Sequence, residues 1–141
     1  MEYVEGCTLK EWLMSFNRVD YRRENETSSL FRKICDVVEH IHSLGIVHRD
    51  LKLDNILLSL DPLKMQVQPK IIDFGLSTVL LEGEYSSDPV GSIAYMSPEM
   101  TFMEPYNRGA DVWSLGVILY SLVTCRFPFI APGLQETVRN I

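Results

Sequence analysis

The chain is 141 residues long, with 46% apolar residues, 23% charged residues and a net charge of −6 at pH 7. That balance suits one ordinary globular domain, argues against disorder, and argues against a nucleic-acid surface, which needs a basic face. The longest apolar run, Val112 to Val123, holds Ser114 and Ser121 and falls short of the roughly 20 apolar residues that a membrane span takes, so it reads as a buried helix.

Thr8, followed by Leu9, Trp12, Leu13 and Phe16, supplies an N-cap and then helical apolar spacing, which predicts a short helix over Leu9 to Phe16. A polar connection, Asn17 to Asn25, follows. Leu30, Phe31, Ile34, Val37, Val38 and Ile41 then recur at three and four, predicting a longer helix from Ser28 to Leu44 with Gly45 as its C-cap glycine. Short β segments are expected at Ile46-Val47, Ile56 to Leu58 and Lys70 to Ile72, with Pro62 and Pro69 punctuating the loop between the last two. From Leu76 to Met96 the pattern lapses into a long functional loop. Asp111 then begins a helix that is apolar nearly all round, as for a helix through the centre of a domain, and Gly133 to Ile141 reads as the start of another.

Cys7, Cys35 and Cys125 show neither disulfide nor metal-ligand spacing. The amino terminus, Met1 to Gly6, carries acid where a secretory signal would carry base. Free thiols in a reducing compartment and an intracellular, cytoplasmic location are the expectation.

The chemistry concentrates in His48-Arg49-Asp50-Leu51-Lys52-Leu53-Asp54-Asn55, followed by Asp73-Phe74-Gly75 and by Ser97-Pro98-Glu99. Each has a plain reading when taken alone: Asp-Phe-Gly is an ordinary turn after a strand, His48 a core histidine, and Arg49 to Asn55 a polar connection between two short apolar strands. Their conjunction in this order is far more specific. Asp50 can hold an attacking hydroxyl in line and take its proton, while Lys52, on the same side of an extended loop, can meet a transferred phosphate as a point charge. Asn55 and Asp73 supply the hard oxygen ligands that Mg2+ wants. This is the equipment of Mg-assisted phosphoryl transfer.

On these motifs the chain resembles the large, C-terminal lobe of eukaryotic protein kinases, an α+β and mainly α fold, over essentially its whole length. The resemblance implies a hinge at Met1-Glu2-Tyr3-Val4, with Met1 as gatekeeper and the backbones of Glu2 and Val4 bonding adenine. It places Leu57 under the adenine ring, has His48, Phe74 and Asp111 tie the metal site to the central helix, makes Gly75 part of the metal-bearing turn, and makes Glu99 the anchor of the activation segment. ATP and Mg2+ are the implied cofactors, and protein substrates with Ser/Thr acceptors the implied partners. Lys52, and Gly91-Ser92 ahead of Tyr95, resemble the serine/threonine branch, in which Ser92 bonds Asp50 and Lys52. Asp73-Phe74-Gly75-Leu76-Ser77, Leu81 to Tyr85 and Gly116 to Tyr120 are most similar to the calcium/calmodulin-dependent and AMP-activated group.

Three departures matter. Ser97 stands where alanine is usual, and Cys125 where glycine usually follows the central helix. Asp88 falls where many relatives carry a phosphorylated threonine, and its carboxylate is expected to pair with Arg49 in place of a phosphate. The alternative is that Asp88 merely starts a turn before Pro89 and that Ser86 or Ser87 is the phosphosite. Neither a Gly-rich phosphate loop, nor a strand lysine, nor its helix glutamate is found, so residues 1–141 are expected to run from the hinge to the start of the helix after the central one, without the amino-terminal lobe and the distal helices. A non-catalytic binding or regulatory module is the competing reading. Asp54 hints at basic substrate residues, with a plain exposed charge as the simpler account.

Overall fold

A computed structural model describes residues 6–15, 23–61 and 66–141, so Met1, Glu2, Val4, Phe16 and Pro62 lie outside the described residues. In chain order the elements are β1 (Cys7–Thr8), α1 (Leu9–Met14), α2 (Arg23–Ser43), β2 (Ile46–Val47), β3 (Ile56–Asp61), β4 (Gln66–Ile71), β5 (Thr78–Val79), α3 (Pro98–Thr101), α4 (Gly109–Thr124) and α5 (Leu134–Asn140). Mixed helix and sheet in this order matches the expected α+β class.

Thr8 caps α1 through a reciprocal box: its Oγ1 accepts from the Glu11 N–H at 3.1 Å, and its own N–H donates to the Glu11 carboxylate at 2.8 Å. The helix ends at Met14, with Ser15 as its C-cap. The long helix starts at Arg23 rather than Ser28, because Glu24 and Glu26 in its first turn favour the positive end of the helix dipole and Thr27 is buried, so this stretch is no mere polar connection. Gly45 does follow α2 in the left-handed region, at φ 75°.

Two antiparallel sheets flank the loop between β2 and β3. One has the order β1-β3-β4, with Ile56 opposite Ile71; the other pairs β2 with β5. Pro69 is not a punctuation mark: it lies inside β4 opposite Leu58, tolerated because β4 is an edge strand that can spare an N–H. The stretch Leu76 to Met96 is also more ordered than a loop, holding β5, a bridge between Ser86 and Tyr106, and a 3-10 turn over Ile93–Tyr95.

The core joins Leu30, Ile34 and Val38 of α2 to Leu115, Ile118 and Leu122 of α4, with Leu51 and Leu53 of the intervening loop between them. The alternation buries Leu51 and Leu53 and leaves the Lys52 side chain partly exposed between them, so the loop is nailed down by every second residue. Cys125 ends α4 at φ 55° and ψ 29°, a left-handed cap made without glycine. One expectation for α4 fails. Only one side of it is buried, and Val112, Leu119, Tyr120 and Val123 form an exposed apolar stripe with no partner among the described residues.

Candidate active site

Asp111 organises the site from below. It is fully buried near the start of α4, and its two oxygens accept the backbone N–H groups of His48 and Arg49, each at 2.9 Å. The Nε2 of His42, from the last turn of α2, donates to the same carboxylate at 2.8 Å. Three donors from two segments thus pin the backbone just before Asp50. Arg49 itself is held at φ 68°, a left-handed conformation that costs a non-glycine residue about 1 kcal/mol or more.

His48 is fully buried and locked at both ring nitrogens. Its Nδ1 accepts from the Asp50 N–H at 3.3 Å and its Nε2 donates to the Ile72 carbonyl at 3.1 Å, an assignment made from these partners. Its ring meets Phe74 edge-on at 4.9 Å. The histidine therefore joins the loop bearing Asp50 to the turn bearing Asp73.

The Asp50 carboxylate sits at the centre of a dense polar cluster. Lys52 Nζ donates to it at 2.6 Å, Ser92 Oγ at 2.8 Å and Asn55 Nδ2 at 3.1 Å, while Lys52 also reaches Ser92 Oγ at 3.0 Å. Ser92 comes from 42 residues away in sequence. It can approach because Gly91, at φ 105°, lets the chain pass where a Cβ would lie 2.4 Å from the Arg49 carbonyl.

Asn55 also donates its Nδ2 to the Asp50 carbonyl at 3.0 Å, which commits the amide nitrogen and leaves the side-chain oxygen with no hydrogen bond among the described residues. The Ile72 N–H bonds the Asn55 carbonyl at 2.9 Å, which brings Asp73 alongside. Asp73 is left-handed at φ 61°, and among the described residues its carboxylate accepts only the long bond from the Gly75 N–H, 3.3 Å, and makes no ion pair. An amide oxygen and a carboxylate with spare lone pairs form a donor set that fits a hard divalent cation.

Other residues lie further out. Leu57 is half-buried in β3 opposite Thr8 and Lys70. Asp88 Oδ2 lies 3.3 Å from Arg49 Nη1. Glu99 is half-buried in α3 and makes no ion pair among the described residues. Ser97 is fully buried and caps α3, accepting from the Met100 N–H at 3.5 Å, so the hydroxyl in place of a methyl has its own use. Asp54 pairs with Lys10 of α1 at 2.8 Å, with both side chains about half exposed. Burial pushes the Cys35 thiol up, with the neighbouring Asp36 charge adding to it.

Four contributors escaped sequence reasoning. His42, Lys10, Tyr95 and Tyr106 act across 69, 44, 42 and 57 residues on Asp111, Asp54, Leu53 and Arg49. None carries a local motif. The spacing of His42 on the polar flank of α2 was the one signal available, and it is shared with His40.

Comparison with known proteins agrees with this geometry. The family model described as a protein kinase domain matches residues 1–141. Among similar proteins, Sperm motility kinase 2B of Mus musculus is 38% identical over all of this chain and 28% of its own length. The SNF1-related protein kinase catalytic subunit alpha of Arabidopsis thaliana is 40% identical over all of this chain and 27% of its own length. A serine/threonine-protein kinase of Drosophila persimilis is 36% identical over 96% of this chain and 17% of its own length. The chain thus spans under a third of each of these relatives, and it belongs to the protein kinase family.

Proposed function

We propose that this chain is the substrate-bearing lobe of a serine/threonine protein kinase, which transfers the γ-phosphoryl group of ATP to protein Ser/Thr hydroxyls. The observation that carries the reading is the Asp50 carboxylate gripped by Lys52, Ser92 and Asn55. In this reading an acceptor hydroxyl takes the place of one of those donors, and Asp50 orients it and receives its proton. Lys52, 3.0 Å from Ser92 and bonded to Asp50, supplies positive charge to the phosphate oxygens as the hydroxyl attacks. Ser92 shapes the side of the site where the acceptor enters.

Asn55 and Asp73 would hold Mg2+, which when bound neutralises charge on the phosphate oxygens. Leu57 supports the adenine from below, and Met1, Glu2 and Val4 carry the adenine contacts. Glu99 anchors the segment that holds Ser92. We further place the chain inside a longer protein whose other parts roof the nucleotide and cover the apolar stripe on α4. A contiguous face with Val112 58% and Val123 64% exposed supports this, since soluble domains rarely leave such a stripe bare.

The test is an acceptor panel. The full-length protein is offered peptides that differ only in carrying Ser, Thr or Tyr, with MgATP. Label on Ser and Thr is the expected result, and Ser92→Ala should lower that rate about tenfold or more. Label on Tyr alone would refute the acceptor assignment, and nucleotide binding without transfer to any peptide would favour the non-catalytic module.

A further inference from the structure

A cavity of about 500 Å3 opens where the end of α2, the turn after β5 and the residues just before α4 meet. Asp50, Lys52, Asn55, Asp73 and Ser92 do not line it, so it is separate from the site described above. Its wall includes His42, whose ring bonds Asp111, so it backs onto the network that pins the Asp50 loop. The rim is apolar on one side. Leu44 is 58% and Leu81 64% exposed, and Gly45 lies between them at φ 75°. A Cβ on Gly45 would sit 3.7 Å from both Leu81 Cδ2 and Val79 Cγ1, so the exposed Leu44, Val79 and Leu81 form one patch. The turn bearing Leu81 is fixed: the Glu84 N–H donates to the Leu81 carbonyl at 3.0 Å, and the Glu84 carboxylate accepts the Leu81 N–H at 2.8 Å.

The same cavity carries unspent polar groups. Glu82, Glu84 and Arg108 line it and make no ion pair among the described residues. Two carboxylates and the carbonyl end of the long helix α2 outweigh one guanidinium, which gives the rim a negative field. Asn107 commits its Oδ1 to the Gly109 N–H at 2.9 Å, which leaves its amide NH2 to donate. We propose that this cavity docks a short extended segment of a partner protein. A large apolar side chain of that segment covers Leu44 and Leu81, and a Lys or Arg two residues away, on the same side of the extended chain, pairs with Glu82. Its main-chain carbonyls accept from Asn107 and Arg108.

The experiment is fluorescence anisotropy of the labelled peptide Gly-Arg-Ala-Phe-Ala-Arg-Gly with the full-length protein. The peptide has no hydroxyl to accept phosphate, so the result is independent of turnover. One peptide should bind per chain, Leu81→Ser should weaken binding about tenfold, and Glu82→Lys about fivefold, less in 0.5 M NaCl. Asp54→Lys, beside Asp50, should leave binding unchanged, and bound peptide should slow amide exchange at Glu84. Absence of binding, or equal binding of the peptide with both arginines replaced by glutamate, would overturn the proposal. So would loss of binding in Asp54→Lys with none in Glu82→Lys, which would put the peptide in the acceptor site instead.

Discussion

Replacing Asp111 by asparagine keeps the shape of the side chain and removes its charge, which makes it a direct probe of how the site is held. The carboxylate accepts three bonds, from the N–H groups of His48 and Arg49 and from His42 Nε2. An asparagine has one acceptor oxygen. If that oxygen keeps the His48 and His42 bonds, the amide NH2 faces the Arg49 N–H, a donor against a donor. A buried N–H left unsatisfied costs about 1–3 kcal/mol, and the two surviving bonds each weaken by about 0.5–1 kcal/mol once the acceptor is neutral. The sum is about 3 kcal/mol, at the lower edge of what breaking a buried charged network costs. With a urea slope of about 1.5 kcal/mol per molar, Asp111→Asn should lower the unfolding midpoint by about 2 M. Exchange of the Arg49 amide should accelerate by more than the global loss of stability explains. A midpoint shift below about 0.5 M would refute the view that Asp111 carries the backbone before Asp50.

Burial pushes the Tyr95 phenol up to about 12, with its hydroxyl accepting from the Leu53 N–H at 3.4 Å. Because the folded form holds the proton more tightly than the unfolded one, this stabilisation is complete below pH 10 and is lost as pH rises from 10 toward 12, on the order of 2–3 kcal/mol in all. Tyr95→Phe should flatten that alkaline fall in a urea titration and cost about 1 kcal/mol at neutral pH. Cys125→Gly relieves a left-handed cap and should raise stability by about 0.5–1 kcal/mol, measured as a higher unfolding midpoint; a fall would show that the cysteine side chain matters more than the backbone. Lys10→Ala leaves the Asp54 charge without its lysine partner, so turnover should shift toward peptides with basic residues near the acceptor, with little change in stability because the pair is half exposed.

Local signals were legible where neighbours in sequence are neighbours in space. The Thr8 cap, the α2 stripe, the Gly45 cap and the extended loop that presents Asp50 and Lys52 are all written within a few residues. Two kinds of feature were not. The extra turn at the start of α2 and the strand identity of Pro69 depend on packing that overrides a polar or proline-marked composition. The partners His42, Lys10, Tyr95 and Tyr106 meet their targets only after α2, α4 and the loop close together, so no spacing announces them. The half-bare α4 is a different case. Its sequence pattern is truly two-sided, and the pattern records a burial that the described residues supply on one side only.

The central claim is that Asp50 and Asp73 run phosphoryl transfer, and the most direct measurement is transfer of labelled γ-phosphate from MgATP to a serine peptide by the full-length protein beside its Asp50→Asn and Asp73→Ala variants. The account predicts measurable transfer that falls at least 100-fold in Asp50→Asn and is lost with the metal ligand in Asp73→Ala. Transfer that survives both substitutions would contradict the assignment of the site, and no transfer by the unaltered protein would contradict the claim that this lobe serves catalysis.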